Sequence, residues 1–567
     1  MSFEEFVTDE KIIALLCREK CKRIRRARRK EPQNLDEELK LIMPSRREWL
    51  RINRSKRFMR DSASSSKQHI PSSVLQLKTL NYTIRKHRKS NPEKPYITRL
   101  NSYIDHIKGI CSGAIDFTFS KPAVIPKLKD EDDHEMIYRP ISKYDTLDDK
   151  IMLNLTNQYL SVIFNDFLHD EILSYRIRRN YKGEIKITNQ HDAIRSIKEY
   201  LEHNKRENIY VAECDIRKFF DILNHKIIKR EFTKLLSKTS GQETGVITKL
   251  FNSYIDSYSY YSDVSVKNSD PSYWNRYRVS MRKMCKTRKF DWIDQERVVE
   301  DGIYTGEEWN NERDQIGTPQ GGALSLLVSN IVMNSVDQVI VEKNDPERLF
   351  IRYGDDIILM HTRRQKCEEL INEYKRSLGS HKLLHHPFKP VSEFKDQEKT
   401  LKGYWDNKSK SVFRWGKGTG DAAQWIGFVG YELSRDGDVR IRRSTLSSQF
   451  SKINRAYHQV RRLRDPEQKS VGRFGELVAE RLNFNNYPTI KTKLFSDTFR
   501  ELTVNRYSVT QIKALDRYRN KKFRRLRQQF KKAGFNRNFY LGKPFSYYYH
   551  FNRVSQGKYP ESKEYED

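Results

Sequence analysis

A chain of 567 residues in which 108 Lys and Arg outnumber 75 Asp and Glu carries a formal charge of +33 and a pI near 9.7. A field of that size points to a polyanionic partner and away from one that is itself basic. The six cysteines, Cys17, Cys21, Cys111, Cys214, Cys285 and Cys367, form no Cys-x-x-Cys pair and have no His at zinc spacing, which argues against zinc modules and for a reducing compartment. The start of the chain is acidic without an apolar signal core, and no apolar run is expected to reach membrane-spanning length. A cytoplasmic protein without a membrane partner is the expectation.

Residues 1 to 105 read as a basic, mainly helical extension, interrupted by the polar stretch Asp61-Ser-Ala-Ser-Ser-Ser-Lys67. Within it, residues 18 to 30 hold nine Lys or Arg, either a solvated face or an arm that orders on RNA. Residues 106 to 435 form the next unit. Its first chemical signal is Ile209-Tyr-Val-Ala-Glu-Cys-Asp215, a β-prone run that ends on a carboxylate and passes into a helical turn through Phe219, Phe220 and Asp221. The stretch from about Leu236 to Gln315, rich in Ser, Tyr and Arg, is expected to decorate one face.

Next comes Gln315-Ile-Gly-Thr-Pro-Gln-Gly-Gly-Ala-Leu-Ser325. It is a glycine-rich loop opening a helix whose apolar positions Leu324, Leu327, Val328, Ile331, Val332, Val336, Val339 and Ile340 follow helical spacing. Gly321 and Gly322 permit close approach of backbone to a flat base or sugar. The run Leu349 to Met360 then places Asp355 and Asp356 on a tight turn between two apolar strands. Carboxylates fixed on a rigid hairpin share divalent cations without first having to be ordered. With Asp215 at a strand end they make a three-carboxylate cluster of the kind that holds two Mg²⁺ ions, for which Mn²⁺ can substitute. Such ions activate a 3′-hydroxyl and steady departing pyrophosphate.

Residues 436 to 567 are expected to be helical. Between 513 and 532 ten Lys or Arg stand beside one acid, Asp516, while Leu515, Tyr518, Leu526 and Phe530 fall near one helical face. Such a helix buries the second set and lays Lys521, Lys522, Arg524 and Arg525 against phosphates. Aromatic clusters among basic residues, at Tyr258 to Tyr261, Tyr273 to Tyr277 and Tyr547 to Phe551, either stack on unpaired bases or pack in the core.

From about Lys121 to Tyr431 the sequence resembles the reverse transcriptases of bacterial group II introns, retrons and the abortive-infection or "unknown group" defence enzymes, the last most of all. The resemblance rests on blocks in one order. These are Ile125-Pro-Lys127, Tyr138-Arg-Pro-Ile-Ser142, Asp149-Lys150, Phe167 to Arg179, His191-Asp-Ala-Ile194, the Asp215 block, Thr318-Pro-Gln-Gly321, Tyr353-Gly-Asp-Asp356 and Trp425-Ile-Gly-Phe-Val-Gly430. It implies an α+β right-hand polymerase, with fingers and a palm carrying an antiparallel sheet over 106 to 435, and a helical thumb and RNA-facing region over 436 to 567.

The resemblance further implies an RNA-directed DNA polymerase with a metal set of Asp215, Ile216, Asp355 and Asp356. Nucleotide contacts come from Lys127, Arg139, Phe220 and Gln320, and Lys389, Lys382 or Lys399 protonates pyrophosphate. Deoxynucleotide triphosphates, an RNA template and a DNA product are the implied partners. The template is expected to be a dedicated non-coding RNA in an antiphage defence system, with the retron and group II intron types as alternatives; the number of subunits stays open. Three departures bear on this, and one is that Leu384-His-His-Pro-Phe-Lys-Pro390 blurs the usual Leu-Asn-x-x-Lys-Thr signature after the hairpin. Ser174-Tyr-Arg-Ile-Arg178 replaces Ser-Tyr-Gly-Phe-Arg on the template side, and Leu324-Ser-Leu326 replaces Leu-Ser-Pro, which straightens a helix. A viral RNA polymerase shares the Gly-Asp-Asp turn but places Asp five residues after its first metal Asp, where this chain has Phe220. A non-catalytic RNA binder on the same fold is opposed by the three intact Asp.

Overall fold

A computed structural model gives the fold. It describes residues 2–27, 35–52, 58–60, 67–69, 72–131, 135–179, 185–239, 245–277, 287–291, 295–397, 404, 407–461 and 506–532. The polar stretch at 61–66, Cys285, Lys399 and the aromatic cluster at 547–551 lie outside those residues. So do Arg28, Arg29 and Lys30 of the N-terminal basic cluster.

The N-terminal helices α1 (Asp9–Ala27), α2 (Ser72–Ser90) and α3 (Pro95–Ser112) carry apolar residues at helical spacing. They turn Ile12, Leu16, Leu80, Ile84, Leu100 and Ile104 into one core with the following unit. Strands β1 (Ala123–Glu131) and β2 (Glu135–Lys143) form an antiparallel pair in which Lys127 stands opposite Arg139. Helix α4 (Leu147–Phe164) starts on the Thr146 cap and is fastened to the chain's start by Phe3 and Phe6 against Tyr159, with ring centroids 5.1 and 5.5 Å apart.

The palm begins with β3 (Tyr210–Asp215), followed by helices α5 (His225–Leu236) and α6 (Gly245–Asp256). Strand β4 (Thr287–Phe290) runs parallel to β2 and completes the fingers sheet in the order β1, β2, β4. After it come α7 (Ala323–Val341), β5 (Arg348–Tyr353), β6 (Asp356–His361), α8 (Arg364–Ser380), β7 (Phe388–Lys389) and β8 (Ser409–Trp415). The palm sheet runs β7, β8, β3, β6, β5, with Ala422–Ala423 pairing onto β8, and is antiparallel at its centre. A further sheet of β9 (Trp425–Phe428), β10 (Tyr431–Ser434) and β11 (Val439–Ile441) follows, then helices α9 (Arg443–Arg461) and α10 (Arg506–Lys532).

Both faces of the central palm strands are covered. Ala212, Cys214, Ile357 and Leu359 belong to the core that also holds α7 and α8. Val211, Ile358 and Met360 belong to a second core with the β9 to β11 sheet, Ile512 and Leu515. Burial on both sides is why these strands read as nearly continuous apolar runs rather than as alternating ones. The α+β right-hand fold expected from the sequence is the fold observed, with an antiparallel palm sheet and flanking helices.

Two expectations are corrected. The 236 to 315 stretch does not merely decorate a face: Tyr254, Tyr258 and Tyr260 are buried, Phe251 stacks on Phe232 at 3.8 Å, and β4 belongs to the fingers sheet. Tyr273 and Trp274 are buried too, whereas Tyr261 and Tyr277 are half-buried. The second concerns apolar length. Among the described residues one segment, Leu324–Val341, is long and apolar enough to cross a membrane by length and composition, and it is mostly buried within the chain as the palm's core helix.

Candidate active site

The hairpin of β5 and β6 turns through Gly354 and Asp355, because Tyr353 and Asp356 are direct ladder partners. Gly354 has φ +69° whereas Asp355 is not among the positive-φ residues, as a turn with glycine first requires. The hairpin is held from behind by Arg352, whose Nε donates to Asp337 on α7 at 2.6 Å with both side chains fully buried, while Tyr374 donates to the same carboxylate at 2.9 Å. On its other side β6 pairs with β3 in a register that sets Asp356 directly opposite Asp215. Two carboxylates from the hairpin and one from the strand end are thereby brought together, at the rim of a sheet whose strands are fixed on both faces.

Their electrostatics follow from that crowding. Burial, and then the neighbouring charges of Asp355 and Asp215, push Asp356 up to about 7. Burial followed by Asp215 also raises Asp355. Burial works against ionisation of Asp215 as well, but His386 and Lys408 outweigh it and hold this carboxyl below its ordinary value. Their nitrogens lie 3.2 and 3.0 Å from Asp215 Oδ1. The segment 384 to 386 is laid along the strand end by Arg217 N donating to Leu384 O and His386 N donating to Asp215 O.

This donor set fits divalent cations. It is oxygen-only, and three crowded carboxylates cost free energy that a cation between them relieves. Among the described residues no three His, Cys, Asp or Glu side chains are already gathered at ligating distance. Asp215 is turned onto the Lys408 ammonium and the His386 imidazole. Asp215, Asp355 and Asp356 are the side chains that would hold the ions, with the backbone of Ile216, buried beside them, as the expected fourth contributor.

The remaining expected residues fall at different distances from this cluster. Lys127 and Arg139 are both exposed on one face of the fingers ladder, and the charge of Arg139 acts on Asp355 and on Asp221. Phe220 is only partly buried, unlike its core neighbour Phe219, and its carbonyl accepts from Thr318 N at 2.8 Å. Gln320 is buried: its amide donates to Asp221, and its carbonyl accepts from Ser142 N of the fingers at 2.9 Å. Gly321, at φ +94°, leaves no easy room for a side chain, since a Cβ there would lie 3.2 Å from Ile141. Lys389 pairs with Glu393 at 3.2 Å and Lys382 with Glu308 at 3.0 Å, while Lys399 lies outside the described residues; among those described, Lys408 meets Asp215.

Sequence reasoning missed Lys408, His386 and Asp221. Lys408 carried no motif signal, His386 lay in the blurred Leu384 to Pro390 signature without a role, and Asp221 was visible as the polar residue after Phe220. The Arg176 that stands where relatives carry glycine in the 174 to 178 block is turned into the protein. It is buried, and it donates to the carbonyls of His169 and Asn165 at 2.5 and 2.6 Å. Its neighbour Tyr175, at φ +56°, stays 48% exposed beside Tyr353.

In the C-terminal helix Lys521, Arg524 and Arg525 are exposed as expected. Lys522 is the exception: its ammonium donates to Asn454 on α9 at 2.6 Å and sits over the rings of Tyr457 and Tyr518. The helix turns this lysine inward because its Tyr518 face packs on α9. Leu515 is buried as expected, while the side chains of Leu526 and Phe530 lie outside those described.

The fold is similar to that of apo telomerase from Candida tropicalis, at 13% identity and a TM-score of 0.33, covering 83% of this chain and 72% of that one. It is also similar to telomerase from Candida albicans in complex with a fragment of telomeric RNA, at 13% identity and a TM-score of 0.35, covering 90% of this chain and 68% of that one. No curated protein matches the chain. The family described as reverse transcriptase (RNA-dependent DNA polymerase) matches residues 126–399, a span that contains most of the fingers ladder, Asp215, the Gln320 loop and the Asp355 hairpin. The chain therefore carries a reverse transcriptase domain and is, by that domain, an RNA-directed DNA polymerase, a nucleotidyltransferase.

Proposed function

We propose that Asp215, Asp355 and Asp356 are the catalytic carboxylates of this polymerase and that Phe220 makes it select deoxynucleotides. The observation that carries the proposal is the ladder register, Asp356 opposite Asp215, with Asp355 beside them on a rigid turn. When bound, two Mg²⁺ ions activate the primer 3′-hydroxyl and stabilise the departing pyrophosphate. The chain's own part is positional. Lys127 and Arg139 bind the triphosphate from the fingers face. Gln320, pinned by Asp221, holds the loop under the incoming base. The partly buried Phe220 ring occupies the space a 2′-hydroxyl would need, which is steric selection and survives changes of salt.

The finer reading is a bacterial antiphage enzyme working in the cytoplasm on a dedicated structured RNA. What supports it is the order of sequence blocks, the lack of zinc-type Cys spacing and the basic helical C-terminal region. Co-purifying nucleic acid, sequenced as RNA and as DNA, tests this part: one defined RNA with complementary DNA is expected, and a heterogeneous RNA pool would overturn the dedicated partner.

The catalytic assignment is tested by primer extension on RNA with Mg²⁺. Asp355→Asn is expected to lower incorporation at least about a thousandfold, because a cation held by an incomplete carboxylate set loses its geometry. Undiminished synthesis would remove Asp355 from the site. Phe220→Ala is expected to admit ribonucleotides while deoxynucleotide incorporation persists, and an unchanged preference returns Phe220 to the core.

A further inference from the structure

The 236 to 315 stretch ends its fingers strand on a residue that touches both halves of the site. Asp291 follows β4 directly and so rides with the fingers sheet, where Phe290 pairs with Tyr138. Its Oδ2 lies 3.0 Å from Lys129 of the fingers. Its Oδ1 lies 3.0 Å from Lys218, three residues beyond Asp215 in the palm.

The two arms differ in weight. Lys129 is 43% exposed, so its pair with Asp291 is screened by solvent and contributes little. Lys218 is only 12% exposed and has the left-handed φ of +48°, a conformation a lysine adopts only when its surroundings impose it. A nearly buried ammonium needs an anion in contact, and removal of Asp291 leaves Lys218 only the charge of Asp221, which makes no ion pair with it. Burial lowers the Lys218 ammonium and Asp291 partly restores it. In turn Lys218 and Lys129 hold Asp291 below its ordinary value despite its burial.

The backbone of Asp291 is fixed as well. Its carbonyl accepts from the hydroxyl of Tyr260, and Tyr260 N donates at 2.8 Å to Ile316 O, just before the glycine-rich loop. Phe290 is cradled by Asn268 through a 2.7 Å bond to its N–H and a 3.3 Å bond to its carbonyl. The carboxylate is therefore presented by a rigid support, and the cation it meets in the palm sits on the segment that joins Asp215 to Phe220.

We propose that Asp291 is a latch between fingers and palm, a positioning residue that acts through Lys218 to keep Lys127 and Arg139 over the carboxylate cluster before a nucleotide arrives. The proposal rests on the polymerase reading above. It predicts a specific kinetic pattern, since a latch that only sets the fraction of nucleotide-ready enzyme changes apparent affinity and leaves the chemical step alone.

The test is steady-state primer extension at varied deoxynucleotide concentration, with thermal unfolding of each variant alongside. Asp291→Asn is expected to raise KM roughly five- to tenfold with kcat within about twofold of wild type. Asp291→Glu is expected to recover part of that loss. Lys218→Gln should give the same rise, and the double variant no more than either single, because both remove one interaction. Lys129→Gln should change KM less than twofold, in keeping with its screened pair.

An unchanged KM in Asp291→Asn overturns the latch. So does a joint fall of kcat and unfolding temperature, which marks a merely structural residue, and so do multiplying effects of the two substitutions. Absence of synthesis by the wild type overturns the polymerase reading and the latch with it, whereas wild-type synthesis with an unmoved variant KM removes the latch alone.

Discussion

Asp221 shows how one side chain can carry both structure and condition dependence. It is buried beneath the site, accepts from the Gln320 amide, and is pushed up to about 7 by burial, an effect that Lys218 only partly offsets. A carboxyl raised in the folded state favours folding while protonated. Its contribution is fully present below about pH 4 and is lost as pH rises through about 7, on the order of 4 kcal/mol in all. The wild type should therefore lose stability between pH 4 and 7 through this group, and Asp221→Asn should flatten that part of the profile. Denaturant midpoints across that range decide it; parallel profiles for the two proteins would mean that Asp221 does not titrate there. Asp215 at a strand end and the Asp355-Asp356 turn were legible as positions from local pattern, whereas the role given to Phe220 came from the family resemblance. Lys408 and His386 were not legible. They reach Asp215 from far along the chain, and that distance closes only in the folded sheet.

At the scale of elements, the local patterns predicted well wherever one face or both faces were apolar. The helix at Ala323–Val341, the strand ending at Asp215 and the hairpin at Asp355 all stand where periodicity and turn chemistry placed them. What periodicity cannot supply is the partner of a strand. Strand β4, four residues long, carries no alternation that would announce a fingers strand, and it exists because β2 offers it an edge. The buried link between Arg352 and Asp337 is of the same kind. Both residues lie within apolar runs, and their pairing locks β5 to α7 behind the Gly354–Asp355 turn. Asp337→Ala should destabilise the chain by about 3 to 5 kcal/mol, since it leaves a guanidinium buried without its carboxylate. Removing both charges in Arg352→Met with Asp337→Leu should cost much less. Chemical denaturation of the two variants checks the ordering, and equal losses would mean that packing volume rather than charge sets the cost.

For the whole molecule, the +33 charge is the property that decides how RNA is met, and its distribution says where. A polycation releases counterions from each phosphate it neutralises, so affinity falls linearly in logarithmic salt with a slope set by the number of contacts. We propose that helix α10 contributes its exposed Lys521, Arg524 and Arg525 to that number, while Lys522 is engaged inside the protein by Asn454 and the rings of Tyr457 and Tyr518. The four lysines and arginines therefore divide by placement, which the sequence pattern alone did not separate. Replacing Lys521, Arg524 and Arg525 together with Gln should weaken RNA binding without regard to sequence and reduce the salt slope by about 2, at roughly 0.7 per single-strand phosphate. Lys522→Gln should leave the slope within about 0.5 of wild type and instead lower the unfolding temperature, since it removes a hydrogen bond and two cation contacts between α9 and α10. Filter binding between 50 and 300 mM salt, on the order of the range where such slopes are linear, separates the two outcomes. A triple variant with wild-type slope would leave α10 a solvated face, and a flattened slope in Lys522→Gln would put that lysine on the phosphates after all.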